Sequence, residues 1–120
     1  MNLVDSCGWL EFLADGPLAG QYALYFEAPQ EIITPAIVVY EVTKKIWLEK
    51  GRQAALAVAA QMQQAKIAPL DFRLSLAAAE ASFRWKLPLP DALVYATAQA
   101  DHGRVITSDA HFGGAARGGV

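Results

Sequence analysis

Cysteine is nearly absent: Cys7 is the single one in 120 residues, which excludes an internal disulfide and any paired-cysteine zinc site. One cysteine fits a reducing compartment, and the protein is read as cytoplasmic. Charge is also sparse, at 18% of residues, and the balance of -2 gives no global attraction to nucleic acid, membranes or acidic partners. Any such binding must therefore rest on a local patch, which argues against a simple nucleic-acid-binding module. No run of about 20 predominantly apolar residues free of charge occurs, the length a membrane-spanning helix needs. The opening residues carry Asp5 and Glu11 and lack a basic segment before an apolar run, so no secretion signal is expected. The tail Gly113 to Val120 is glycine-rich but has no Gly-Lys-Ser/Thr ending, which excludes a phosphate loop and leaves a flexible segment. His102 and His111 lack a partner histidine at helical ligand spacing, and each is a weak candidate for catalysis.

What the chain does have is apolar residues, 54% of the total, enough for a core in one domain spanning 1–120. Leu3-Val4 reads as a buried strand, and Ser6 to Leu13 as a helix with Trp9, Phe12 and Leu13 on its apolar side. Gly16-Pro17 breaks the pattern before a second helix, Leu18 to Phe26, and Glu31-Ile32-Ile33 reads as a strand. Thr34-Pro35 then supplies an N-cap and a proline at the first position of a helix that reaches Gly51 and carries Glu41. An alanine-rich helix over Arg52 to Gln64, a strand at Lys66-Ile67-Ala68 and a helix from Phe72 to Trp85 follow. Pro90 opens the next helix, with Asp91 in its first turn, Ala92, Ala96 and Ala100 on a slim face, and an end near His102. Arg104 to Thr107 gives the last strand. Alternating strands and helices predict an α/β fold, a three-layer α/β/α sandwich around a mainly parallel sheet of four or five strands.

Four carboxylates fall where such sheets assemble their sites: Asp5 and Asp109 after the first and last strands, Glu41 and Asp91 on helices between them. If they converge, their repulsion must be relieved by proton uptake or by a bound cation, and a divalent metal is the economical answer. Magnesium and manganese favour oxygen ligands, and two such ions can activate a water and stabilise the departing oxygen of a phosphodiester. Hydrolysis of a phosphate ester is the expected chemistry. Each acid alone has a plainer account. Asp5 can cap the helix that follows it, Glu41 can pair with Lys45, Asp91 is favoured by a helix dipole, and Asp109 can start a turn. Together, at one edge of one sheet, they favour a site. Asp15, Asp71, Glu80 and Asp101 are surface candidates. Ser6 and Ser108 flank the terminal acids and could orient a carboxylate or a phosphate oxygen. Lys44 and Lys45, and more weakly Arg84, Lys86 and Arg104, could contact phosphates. Trp9, Trp47 and Trp85 could stack bases but are better read as core or interface residues.

In Leu3-Val4-Asp5-Ser6, in Val39-Tyr40-Glu41-Val42, in Leu89 to Ala98 around Pro90-Asp91-Ala92, and in Ile106-Thr107-Ser108-Asp109-Ala110-His111-Phe112, the sequence resembles the PIN-domain endoribonucleases. The resemblance extends especially to the VapC-type toxins of prokaryotic toxin–antitoxin pairs. It implies that Asp5, Glu41, Asp91 and Asp109 coordinate Mg2+ or Mn2+ for cleavage of single-stranded RNA regions. It also implies a homodimer held in check by a cognate antitoxin. One departure concerns the end of the chain: family members usually add a short strand after the last acid, where Gly113 to Val120 is glycine-rich and stops early. A signalling receiver also gathers acids at strand ends, but it needs an aspartate after a central strand and a lysine after a late one. Asp71 follows Lys66-Ile67-Ala68 only after Pro69-Leu70, and no lysine follows Arg104 to Thr107, which disfavours that alternative. The remaining alternative is a catalytically silent PIN-like interaction domain that binds no divalent metal.

Overall fold

Leu3, Val4, Ile32 and Ile33 are fully buried, as expected of strands covered by helices on both faces, where apolar runs replace alternation. The computed structural model describes residues 1–101 and 103–106. In chain order the elements are β1 (Asn2–Val4), α1 (Ser6–Leu13), α2 (Ala19–Phe26), β2 (Ile32–Pro35), α3 (Ala36–Lys50), α4 (Arg52–Met62), β3 (Lys66–Ala68), α5 (Phe72–Trp85), α6 (Leu89–Ala100) and β4 (Arg104–Ile106). The four strands form one sheet in the order β3-β2-β1-β4, with every pairing parallel. Val4 lies opposite Ile106 and Leu3 opposite both Ile33 and Val105, so β1 is central. The chain winds from β1 through β2 to β3, then crosses back to place β4 on the other side of β1. With right-handed crossovers, that reversal puts α1 to α4 on one face and α5 and α6 on the other. The α/β/α sandwich is thus observed, with four strands among the described residues.

Local signals explain most element ends. Asp71 caps α5 by accepting from the Leu74 N–H at 2.8 Å. Gly51, at φ 92°, turns the chain between α3 and α4 in a conformation that other residues adopt only under strain. Leu3, Ile32, Val38, Val42 and Met62 lie in the main core, and Ala92, Leu93 and Ala96 of α6 pack with Ala78 of α5 in a second.

Thr34-Pro35 departs from expectation. Both residues belong to β2, where Thr34 pairs with Ile67 and Pro35 with Ala68, and Pro35 itself precedes α3 in an extended conformation without a side-chain cap. The Thr34 hydroxyl does not cap because α3 starts two residues later, with Pro35 at the N-cap; it instead accepts a hydrogen bond from the Trp9 indole at 3.2 Å. The alanine-rich helix ends at Met62 rather than Gln64, and α6 begins at Leu89 and ends at Ala100. The expectations for His102, Thr107, Ser108, Asp109, His111 and the 113–120 tail, a final strand included, lie outside the described residues.

Candidate metal centre at the carboxyl edge of the sheet

In an open parallel sheet, ligands bind outside the carboxyl ends of the strands, where the strand order reverses. Here that point lies between β1 and β4. Asp5 is the first residue after β1 and is 4% exposed. Its Oδ1 accepts from the Gly8 N–H at 3.0 Å, and its backbone carbonyl accepts from the Trp9 N–H at 3.0 Å. Asp5 therefore does cap α1. Capping leaves a metal role open, because a carboxylate carries two oxygens and about four lone-pair sites.

Asp91 reaches the same edge by a different route. At the far end of α6, Asp101 Oδ1 meets Nζ of Lys66, the first residue of β3, at 3.4 Å, and just beyond it the Arg104 N–H donates to the Met1 carbonyl at 2.9 Å. The carboxyl end of α6 is thus at the amino edge of the sheet. Ten residues of helix rise about 15 Å, more than the roughly 10 Å length of a three-residue strand, so Asp91 lies at the carboxyl edge. Helix α6 packs on β2 and β4, the two neighbours of β1, and so passes over the strand that Asp5 directly follows. Asp91 is 9% exposed, in a first turn where the helix dipole favours a carboxylate.

Glu41 is half-buried in the second turn of α3, a helix that starts at the carboxyl edge directly after β2 and packs against both α1 and α6. Lys45 ion-pairs with Glu49 at 3.3 Å, one turn farther along α3. Ser6 is half-buried at the first position of α1, beside Asp5. Ser108 and Asp109 lie outside the described residues.

Asp5 and Asp91 are the buried charged side chains among the described residues. Buried carboxylates need compensating interactions, and the Gly8 N–H supplies one to Asp5. Both donors are hard oxygens, which suit magnesium or manganese better than zinc. Among the described residues no group of three or more His, Cys, Asp or Glu side chains is arranged to enclose an ion. Magnesium is commonly held by one or two carboxylates while it keeps several waters and meets a phosphate.

The cationic candidates divide by position. Lys44 and Lys45 are exposed on α3, and Lys44 Nζ lies 3.4 Å from the Tyr40 hydroxyl. Arg84 pairs with Glu80 at 3.8 Å. Arg104 opens β4 opposite Asn2, at the edge away from the acids, so it is poorly placed to serve them. Trp9 is a core residue, whereas Trp47 and Trp85 are about half exposed.

Two residues near the acids carried no functional signal in the sequence. Gly8 lets α1 approach β1, since a Cβ there would lie 2.6 Å from Val4 Cγ1 and 2.8 Å from Tyr22 Cε1. Thr34 is joined to Trp9 across 25 positions, a contact that helix or strand periodicity does not encode.

An α/β domain with a four-stranded parallel sheet and carboxylates at its switch point defines the class. The PIN domain family model matches residues 3–118, and the chain belongs to the PIN domain family. No curated protein matches the chain. Among solved structures, it is similar to a toxin–antitoxin complex from Klebsiella pneumoniae at 23% identity and a TM-score of 0.76, covering 92% of this chain and 88% of that one. It is also similar to VapC20 of Mycobacterium tuberculosis, described as a toxin that cleaves the sarcin-ricin loop, at 20% identity and a TM-score of 0.78, covering 94% and 93%. At these identities the likeness is one of fold.

Proposed function

We propose that the protein is a metal-dependent endoribonuclease that hydrolyses RNA phosphodiester bonds, acting as the toxin of a VapBC-type toxin–antitoxin pair. The observation that carries this reading is the burial of Asp5 and Asp91 at the switch-point edge of a PIN domain. Asp5, Asp91 and Asp109 hold Mg2+ or Mn2+, and Glu41 either joins them or orients the attacking water. When bound, the ion supplies a water of lowered pKa and neutralises charge on the phosphate. The N-cap bond to Gly8 holds the Asp5 carboxylate in one orientation, and Asp91 stands in the first turn of α6, beside the positive end of the helix dipole. Ser6 and Ser108 steady the carboxylates. Lys44 and Lys45 lie on the same helix as Glu41 and offer contacts to RNA phosphates.

The toxin part of the reading gains support from exposed apolar side chains, which on a small domain mark protein contacts. Tyr40, Trp47 and Leu48 lie exposed on α3, and Phe72, Leu76 and Phe83 on α5. A cognate antitoxin and a second copy of the chain are the proposed partners. Among the described residues no helix is long and apolar enough to cross a membrane.

Cleavage of a structured RNA pool in magnesium or manganese, by wild type and by Asp5→Asn, tests the reading. Metal-stimulated cleavage by wild type and none by the variant is expected; equal metal-stimulated activity in both would sink the assignment. For the partner, the protein encoded by the adjacent reading frame should co-purify with this chain and suppress its toxicity.

A further inference from the structure

The Trp9–Thr34 hydrogen bond joins two residues that are 2% and 0% exposed, on different elements. It is a buried hydrogen bond between two side chains 25 positions apart. Each end is coupled to an acid. Trp9 follows Gly8, and these two residues donate their backbone N–H groups to the side chain and main chain of Asp5. Thr34 lies one residue before Pro35, after which α3 begins and carries Glu41 in its second turn. Phe26 packs edge-on against the Trp9 ring at 4.6 Å, which fixes the direction of the indole N–H.

We infer that Trp9 and Thr34 are positioning residues: their hydrogen bond sets the first turn of α1, and with it Asp5, against the β2–α3 junction that aims Glu41. Neither residue touches metal or RNA. They act by holding two carboxylate-bearing elements at one separation, and a small error in that separation weakens binding of an ion by both. The bond is also sensitive to chemistry, because removing one partner leaves the other polar atom buried and unsatisfied. This inference rests on the metal-dependent reading proposed above.

The test uses the full chain and Mn2+ as the probe. Thr34→Val keeps the side-chain volume and removes the acceptor; Thr34→Ser keeps the hydroxyl. Manganese affinity is measured by calorimetry well below the melting temperature, alongside kcat and KM for RNA. Thr34→Val is expected to fold, to bind Mn2+ about fivefold more weakly, the scale of one hydrogen bond, and to lose kcat with little change in KM. Thr34→Ser should restore both. If Thr34→Val does not fold, Trp9→Phe, which keeps an aromatic ring and removes the donor, makes the same comparison. A folded Thr34→Val or Trp9→Phe protein with wild-type manganese affinity would overturn this inference alone. Wild type that binds no manganese would overturn the nuclease reading and this inference with it.

Discussion

Asp91 in the first turn of α6 and Asp101 at its C-cap stand ten positions apart, and the fold treats them in opposite ways. At the amino end of α6, Asp91 is buried to 9% exposure at the edge where the strand order reverses. At the carboxyl end, the Asp101 side chain keeps 29% of its exposure and faces Lys66 at 3.4 Å. The dipole works with the first carboxylate and against the second, and Lys66 offsets the unfavourable end. An ordinary surface acid is thus solvated and paired with a lysine. Asp91 is drawn below the surface at the carboxyl edge of the sheet.

Exchanging the two acids one at a time gives the largest effect. Asp91→Asn keeps size and polarity while removing charge, and it should lower kcat for RNA by roughly 10²-fold, the scale on which residues that support a metal act. Asp101→Asn should stay within about twofold of wild type in the same cleavage assay. Comparable losses in the two variants would erase the distinction between the ends of α6.

The packing beneath the acids gives the next effect, and it falls on stability. Gly8→Ala would place a Cβ within 2.6 Å of Val4 Cγ1, so α1 must lift or the core must shift. Overpacking of this kind costs about 1–3 kcal/mol. Denaturant unfolding should show the loss, and metal-dependent cleavage should fall as well because Asp5 moves with α1. Stability equal to wild type would mean that the close approach of helix and strand is not required.

Asp5 and Asp71 sharpen the contrast from another side, since each N-caps a helix, through Gly8 and Leu74 respectively. Asp71→Ala should lose about 1 kcal/mol of stability and keep activity, because Asp71 is an exposed residue after the edge strand β3. Asp5→Asn retains a good capping acceptor, so it should unfold within about 0.5 kcal/mol of wild type while losing cleavage. A stable, inactive Asp5→Asn beside a weakened, active Asp71→Ala would separate capping from catalysis. That edge position of β3 also disfavours a receiver, which needs its aspartate after a central strand.

Much of this was legible in the chain because the signals are local. Alternating strands and helices, Gly51 after Lys50, and Pro90 beside Asp91 each declare a boundary through backbone chemistry that acts within a few residues. The four acids were singled out as a pattern; Asp5 directly follows β1, Glu41 and Asp91 stand in the first two turns of α3 and α6, and Asp109 lies outside the described residues. Thr34 was misread for a physical reason. Threonine before proline looks like a helix cap, but α3 starts two residues later, with Pro35 at the N-cap, and the hydroxyl instead meets Trp9 25 residues away, a long-range pairing that leaves no trace in propensity. Gly8 was silent for the same reason, since its need for a missing Cβ comes from Val4 and Tyr22 and not from its own turn.

The smallest effect lies at the amino edge. Lys66 and Asp101 are both partly exposed, with side-chain exposures of 54% and 29%, so solvent and the entropy of two side chains reduce their attraction to about 0.2–1 kcal/mol. A double-mutant cycle over Lys66→Met and Asp101→Asn should give a coupling in that range at low salt. The coupling should shrink in 1 M salt, where the screening length falls to about 3 Å. RNA cleavage should track neither variant nor the coupling, because the pair lies at the edge opposite Asp5 and Asp91. A coupling that persisted at high salt and moved together with manganese affinity would instead mean that the two ends of α6 are mechanically linked, and that Lys66 helps to set the position of Asp91 along the helix axis.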